Sequence, residues 1–287
     1  MTVARLPDAG EDRAMSLHVK RVTVVASVVS MLSSAALAQI WNSPGLPEEE
    51  IKAMPPGGEA PRRDLTGVWD AGFAGIGIME QEAEREAARA PFTPLGEKMA
   101  QRNKPGNGPR LAPVGEINDP LSTLGDPSGF PRLVNYELRP LQIARTSNQV
   151  LMLYMFEKRY RVIWTDGRAL PKNPDPRWYG YSVGRWEDDY TFVVETIGMD
   201  DRTWLDNSGD PHSTDLHVEE RYRRVNQNTL ELTVVITDPK VYTKPWTMRN
   251  RLRLRLMPPD TDLMEMIPSA SESQAYQRVI SSQTKSQ

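Results

Sequence analysis

From Pro140 onward the chain alternates apolar and polar positions with a period of two, in short runs broken by turn residues. That is the pattern of half-buried strands joined by hairpins. Leu141–Thr146 and Val150–Phe156 flank Ser147-Asn148-Gln149, and Arg159–Thr165 ends at Asp166-Gly167, a strong hairpin dipeptide. Tyr181–Glu187 and Tyr190–Ile197 flank Asp188-Asp189, while Leu216–Val225 and Thr229–Thr237 flank Asn226-Gln227-Asn228. Trp246–Met257 is the longest run, and Asp262–Ile267 is a candidate closing strand. With Thr66–Gly72 the set comes to about nine strands, which predicts an all-β sandwich or barrel with antiparallel pairing. Val150–Phe156 is apolar on both faces. One face is expected to line the interior and the other to lie beneath helices over 79–102.

The N-terminal part reads differently. Residues 15–38 place Lys20 and Arg21 before an apolar run and Ala36-Leu37-Ala38 before Gln39, the order of a secretory signal. The run from Val22 to Leu37 falls short of the ~20 apolar residues a spanning helix needs. Met15 stands where such a signal begins. The expectation is a periplasmic or secreted protein with no stable membrane insertion after cleavage. Residues 39–63, rich in Pro and Gly, read as a linker. Residues 79–90 are strong helix formers stopped by Pro91, and Thr93-Pro94 reads as the N-cap and first residue of a second short helix to about Arg102. Residues 103–135 hold six prolines and five glycines, the mark of a long loop that is functional or packs as a lid. From Ser269 the chain is a polar tail. The organisation expected is therefore signal 1–38, linker 39–63, one β-barrel domain 64–268 and tail 269–287.

Composition narrows the chemistry. The 287 residues carry 35 Lys+Arg against 38 Asp+Glu, which leaves no basic excess for a nucleic-acid footprint. The absence of cysteine excludes disulfides, thiolate metal sites and a cysteine nucleophile. Of three histidines, His18 falls in the signal, leaving His212 and His217. There is no Gly-Xaa-Ser-Xaa-Gly elbow, phosphate loop or dinucleotide fingerprint, and no cofactor is expected.

Both remaining histidines sit in the acidic stretch Asp200–Arg224. Histidine moves protons near neutral pH, and a neighbouring carboxylate fixes its tautomer. His212, in a Gly-Asp-Pro-His turn, is the candidate acid/base exposed at a barrel mouth, with Asp206 as its orienting carboxylate. A loop-stabilising hydrogen bond is the competing role. His217 should share a strand face with Glu219 and Arg221 and read as structural. Asp210, His212, Asp215 and His217 match no standard metal spacing, and turn chemistry accounts for them, so no metal is expected. Five of the seven tryptophans fall between Trp164 and Trp246. Tyr160, Trp164, Arg168, Trp186, Trp204 and Trp246 are the candidates for lining a ligand cavity, with ordinary core packing as the alternative. Arg185, near Gly180 and Gly184, or Tyr160 is the candidate substrate anchor. Glu220-Arg221 reads as a partly buried couple. Arg249, Arg251, Arg253 and Arg255 alternate with Asn250, Leu252, Leu254 and Leu256, which predicts one wet face meeting acids on neighbouring strands.

The strings Leu65-Thr-Gly-Val-Trp69, Asn118-Asp-Pro120, Gly129-Phe-Pro-Arg132, Thr165-Asp-Gly-Arg168, Gly184-Arg-Trp-Glu187, Thr203-Trp-Leu-Asp206 and Pro211-His-Ser213 resemble those of a widespread family of uncharacterised exported bacterial proteins. So do Leu216-His-Val-Glu-Glu-Arg221, Thr237-Asp-Pro239 and Tyr242-Thr-Lys-Pro-Trp246. The resemblance runs from about 65 to 267 and implies no catalytic assignment. Many members carry a cysteine before the Pro-Xaa-Gly-Xaa-Pro-Arg segment and another near the last strand. This chain has Leu124 or Asp126 in the first region and Ile267 near the second, so a staple implied by relatives is missing. Thr66-Gly67-Val68-Trp69 is also similar to the first strand of lipocalin-like barrels. The reading that results is an antiparallel, lipocalin-like β-barrel with short N-terminal helices and the Pro/Gly loop. The leading expectation is an exported enzyme acting on a small apolar or aromatic molecule by acid–base chemistry of the lyase, hydratase or isomerase type. A small-molecule binding protein without catalysis, or a structural envelope protein, are the alternatives.

Overall fold

The computed structural model describes residues 57–72, 90–135 and 138–267, with residue 269 and four positions between 271 and 278. These fall within one compact unit, Gly45–Gln287. The segment 15–38 expected to be a signal, most of the expected linker and the helix expected over 79–90 lie outside the described residues. Nine strands close into a barrel in chain order: β1 Gly67–Asp70, β2 Leu141–Arg145, β3 Gln149–Tyr154, β4 Tyr160–Trp164, β5 Tyr181–Trp186, β6 Thr191–Ile197, β7 His217–Asn226, β8 Thr229–Thr237 and β9 Trp246–Leu256. Every junction is antiparallel except β4–β5, which is parallel and short, with Ile163 opposite Ser182 and Trp164 opposite Val183.

That junction departs from the expected all-antiparallel sheet. Asp166-Gly167 does not close a hairpin. The chain leaves β4 and returns to the other end of the barrel through residues 165–180 before starting β5, because a parallel pair needs a crossover rather than a tight turn. Asp262–Ile267 forms no strand. It contributes one bridge, Met266 with Phe156.

Inward positions alternate along each strand and fill the barrel with Trp69, Leu141, Ile143, Met152, Ile163, Phe192, Val194, Tyr222, Leu232 and Leu254, all buried. Gly184 is essential to this filling: a Cβ there would stand 2.3 Å from Phe192 Cζ and 2.8 Å from Ile163 Cγ2. β3 is apolar on both faces as expected, but its outer face is covered differently. Leu153 packs with Val68, Met155, Met257, Leu263, Met264 and Met266, so the segment after β9 covers it.

Helix α1, Pro94–Arg102, forms where the sequence places it: Thr93 Oγ1 accepts the Gly96 N–H at 3.1 Å and Pro94 takes the first turn. It docks elsewhere than on β3, with Thr93 N–H donating to the Val241 carbonyl at 2.9 Å. The Pro/Gly loop carries a 3-10 turn, Val114–Glu116, and two short α-helices, α2 Pro120–Thr123 and α3 Arg132–Asn135. Residues 128–135 are buried throughout, with Phe130, Leu133 and Val134 in the same cluster as the barrel interior. The loop is thus a plug in one mouth of the barrel. Arg132 fixes it by a bidentate pair with Asp119, both contacts 2.7 Å.

The arginine ladder of β9 breaks its alternation. Arg251 and Arg253 meet Glu231 and Arg255 meets Thr229, on the outer face. Arg249 instead turns inward, 2 % exposed, and its guanidinium donates to the Asn135 carbonyl. The cause is a β-bulge: Leu232 pairs with Leu252 but Val234 with Arg249, and Arg251 takes φ +53° to absorb the extra residue. Among the described residues no helix is long and apolar enough to cross a membrane.

Candidate functional site

The barrel centre holds a buried ion pair. Arg161, inward on β4, donates to both Glu220 oxygens at 3.0 and 2.7 Å, and to Tyr154 Oη, Ser182 Oγ and Thr196 Oγ1 at 3.1–3.2 Å. Tyr222 Oη donates to Glu220 at 2.7 Å, and the Phe130 ring of the plug covers the guanidinium at 3.7 Å. Burial alone lowers the pKa of Arg161, but the Glu220 carboxylate against it raises it, so the guanidinium stays charged. Burial also pushes the Tyr154 and Tyr222 phenols up, keeping both as hydrogen-bond donors or acceptors rather than bases. This pair corrects the expected Glu220-Arg221 couple. Adjacent strand residues face opposite ways, so Glu220 points in while Arg221 points out to Glu187 and Glu219.

The mouth opposite the hairpin ends of β7 and β8 holds the histidine expected to do acid–base work. His212 is 0 % exposed. Its Nδ1 faces the Ser213 carbonyl at 3.1 Å, which requires the proton there, and its Nε2 lies 2.8 Å from Thr203 Oγ1, whose hydroxyl also contacts the Asp200 carbonyl at 2.9 Å. Burial lowers its pKa from the ordinary 6.5. A neutral imidazole with both nitrogens committed and no solvent face pins a loop, the competing role above. Asp206 does not orient it: that carboxylate accepts the Ser208 and Asp210 N–H groups at 2.9 and 3.1 Å and shapes its own turn. Asp238 shapes the next one, accepting from Ser213 N and Oγ. His217 lies on the outer face with Glu195 at 4.0 Å, Asp215 pairs with Lys240 at 2.9 Å, and Asp210 with Arg110 at 2.6 Å. Each of the four groups considered for a metal has its own partner. Among the described residues no three His, Asp or Glu gather around a common point.

Other candidates separate in space. Arg185 is exposed on the outer face of β5 and pairs with Glu195 at 2.9 Å. Trp186 packs at an inner end of the barrel against Phe192, ring centres 5.2 Å apart. Trp204 is buried in the mouth loops with Arg132 over its ring at 5.7 Å. Trp246 packs on Tyr242 at 5.4 Å. These three are packing residues.

Tyr160, Trp164 and Arg168, in contrast, come together. They line a groove of about 560 Å³ on the outside of the barrel, over the parallel β4–β5 junction. Its far wall is Arg177, Tyr179 and Tyr181, from the end of the crossover and the start of β5. The crossover explains the groove: residues 165–180 run beside the sheet instead of turning tightly, leaving a trough between them and the outward side chains of Tyr160, Val162 and Trp164. Two cation–π contacts form its sides, Arg168 over Trp164 at 3.5 Å and Arg177 over Tyr181 at 3.9 Å. Asp166 holds Arg168 from behind at 2.6 Å. At one end Tyr179 Oη donates to Glu157, which also accepts the Ser128 N–H at 2.6 Å. Burial and the Glu157 charge raise the Tyr179 phenol's pKa, so it stays protonated and serves as a hydrogen-bond donor to Glu157.

Glu157 and Lys158 adopt φ +59° and +49°, a costly pair of left-handed residues that aims the buried Glu157 carboxylate at Tyr179. Sequence reasoning found the β4 side of the groove and missed Arg177, Tyr179 and Tyr181. Residues 165–180 are too long a connection for a hairpin, and that length was the available signal. No protein-family model, curated protein or solved structure matches the chain.

Proposed function

We propose that this is a small-molecule binding protein without catalysis, whose ligand is a planar aromatic or apolar molecule held in the β4–β5 groove. The observation that carries this reading is the groove itself. Its volume is within the usual range for ligand sites, roughly 300–1,000 Å³. Its walls are flat rings and aliphatic side chains carried partly by strands, Trp164, Tyr160, Tyr181 and Val162 among them. Rings presented this way gain stacking energy at little entropic cost. The acid–base reading loses support because His212 is closed off from any substrate and Asp206 is not its partner. Export to the periplasm or medium belongs to the same proposal and rests on the pattern over 15–38.

Titration calorimetry with 2-naphthamide, a neutral planar probe, tests it. Wild type should bind, and Trp164→Ala should weaken binding roughly two- to tenfold, the worth of one stacked ring. No binding, or equal affinity in the variant, would overturn the proposal.

A further inference from the structure

We infer that the natural ligand of this groove is an anion, an aromatic or apolar carboxylate, and that Arg177 reads its charge. This rests on the groove being the binding site. The lining includes Arg161, Arg168 and Arg177 and no Asp or Glu. The three cations are not equivalent. Arg161 is neutralised from inside the barrel by Glu220 at 2.7 Å, and Arg168 from outside the groove by Asp166 at 2.6 Å. Arg177 has no carboxylate partner among the described residues. Its guanidinium lies over the Tyr181 ring at 3.9 Å. Of the acids around that end, the Asp200 carboxylate is paired with Arg202 at 2.7 Å, and Glu157 is engaged by Tyr179 and Ser128.

Arg177 is also held in place. Its N–H donates to the Gly198 carbonyl and its carbonyl accepts from Asp200 N–H, each at 2.9 Å, so the residue is laddered to the chain beyond β6. A guanidinium held over a ring is pre-oriented and weakly hydrated, and its planar fork of N–H donors matches a carboxylate. A ring bound against Trp164 and Tyr160 with a carboxylate toward Arg177 would satisfy the one uncompensated charge in the groove. A neutral ring fills the same shelf and leaves that charge as it was. The groove therefore discriminates by charge at one end and by flatness along its length.

The test compares 2-naphthoate with 2-naphthamide, the same ring with and without the charge, by calorimetry near neutral pH on wild type and Arg177→Gln. Arg177 is exposed, so the variant should keep the wild-type circular dichroism and melting temperature. Wild type should prefer naphthoate by about tenfold, a preference that shrinks with added salt. In Arg177→Gln the two affinities should converge to within about twofold. Equal affinities in wild type, or a preference that survives in the variant, overturn the inference while leaving the groove intact. If 2-naphthamide does not bind wild type, the groove itself is refuted as the site of a planar ligand.

Discussion

Glu220→Gln perturbs the centre of the barrel with almost no change in volume. Glu220 is 0 % exposed and accepts three hydrogen bonds, two from Arg161 and one from Tyr222. The amide removes the charge and turns one acceptor into a donor facing the Arg161 N–H groups. Arg161 keeps its contacts to Tyr154, Ser182 and Thr196 but becomes an uncompensated buried cation. Breaking a buried pair in this way costs about 3–5 kcal/mol, a large fraction of the ~5–15 kcal/mol typical of a domain. With a urea m-value of about 2 kcal/mol per M, the unfolding midpoint falls by about 1.5–2.5 M. Urea denaturation followed by far-UV circular dichroism measures it.

Arg161→Met/Glu220→Leu removes both charges together and should be less destabilised than Glu220→Gln, because no charge is left stranded. The residual loss comes from the Tyr154 and Tyr222 hydroxyls and the Phe130 contact. A cost below about 1 kcal/mol for Glu220→Gln, or a double variant that loses the sum of the two single ones, would refute the assignment of an ionised internal pair.

Two further outcomes follow from the plugged mouth. The lowered pKa of His212 means that the unfolded chain takes up its proton first as pH falls below about 6.5. Its stabilising contribution is complete above that pH and declines below it by at most ~1.4 kcal/mol per pH unit, until the folded pKa is passed. His212→Gln should remove that part of the slope while leaving probe binding in the groove unaltered, and an identical pH–stability profile in the variant contradicts the buried neutral imidazole. Gly129 has φ +72°, and a Cβ there would stand 2.4 Å from Thr203 Cγ2, the residue that holds His212. Gly129→Ala should cost at least ~1–3 kcal/mol in thermal or urea unfolding, from overpacking and left-handed strain together. A melting temperature equal to wild type would count against this packing of the plug.

Much of the barrel was legible because strand alternation is a local signal. The strand bounds from β2 to β9 fall within two residues of the hydrophobic runs, and the Thr93 cap and Pro94 start of α1 are readable from two residues. What the sequence hid is non-local. Arg161 lies in a run whose inward parity it shares with Ile163, yet nothing near it in sequence announces Glu220 fifty-nine positions away. The bulge at Arg251 flips the parity of β9 and buries Arg249, so a strict count along the ladder fails there. Asp166-Gly167 is sound turn chemistry, but it opens a crossover. Only that topology brings Arg177, Tyr179 and Tyr181 opposite Tyr160 and Trp164. The histidine was found but its exposure was not, since a Pro-His turn reads the same whether a plug covers it or solvent does.

The claim on which the functional account turns is that a ligand binds outside the barrel, over β4 and β5, and not within it or at His212. Amide chemical-shift mapping during a titration with 2-naphthoate tests this directly. The account predicts saturable shifts centred on Tyr160–Arg168 and Arg177–Val183, with Thr203, His212 and the interior residues of β7 and β8 unmoved. Shifts centred on Thr203, His212 and Asp238, or on the strands around Glu220, would contradict it.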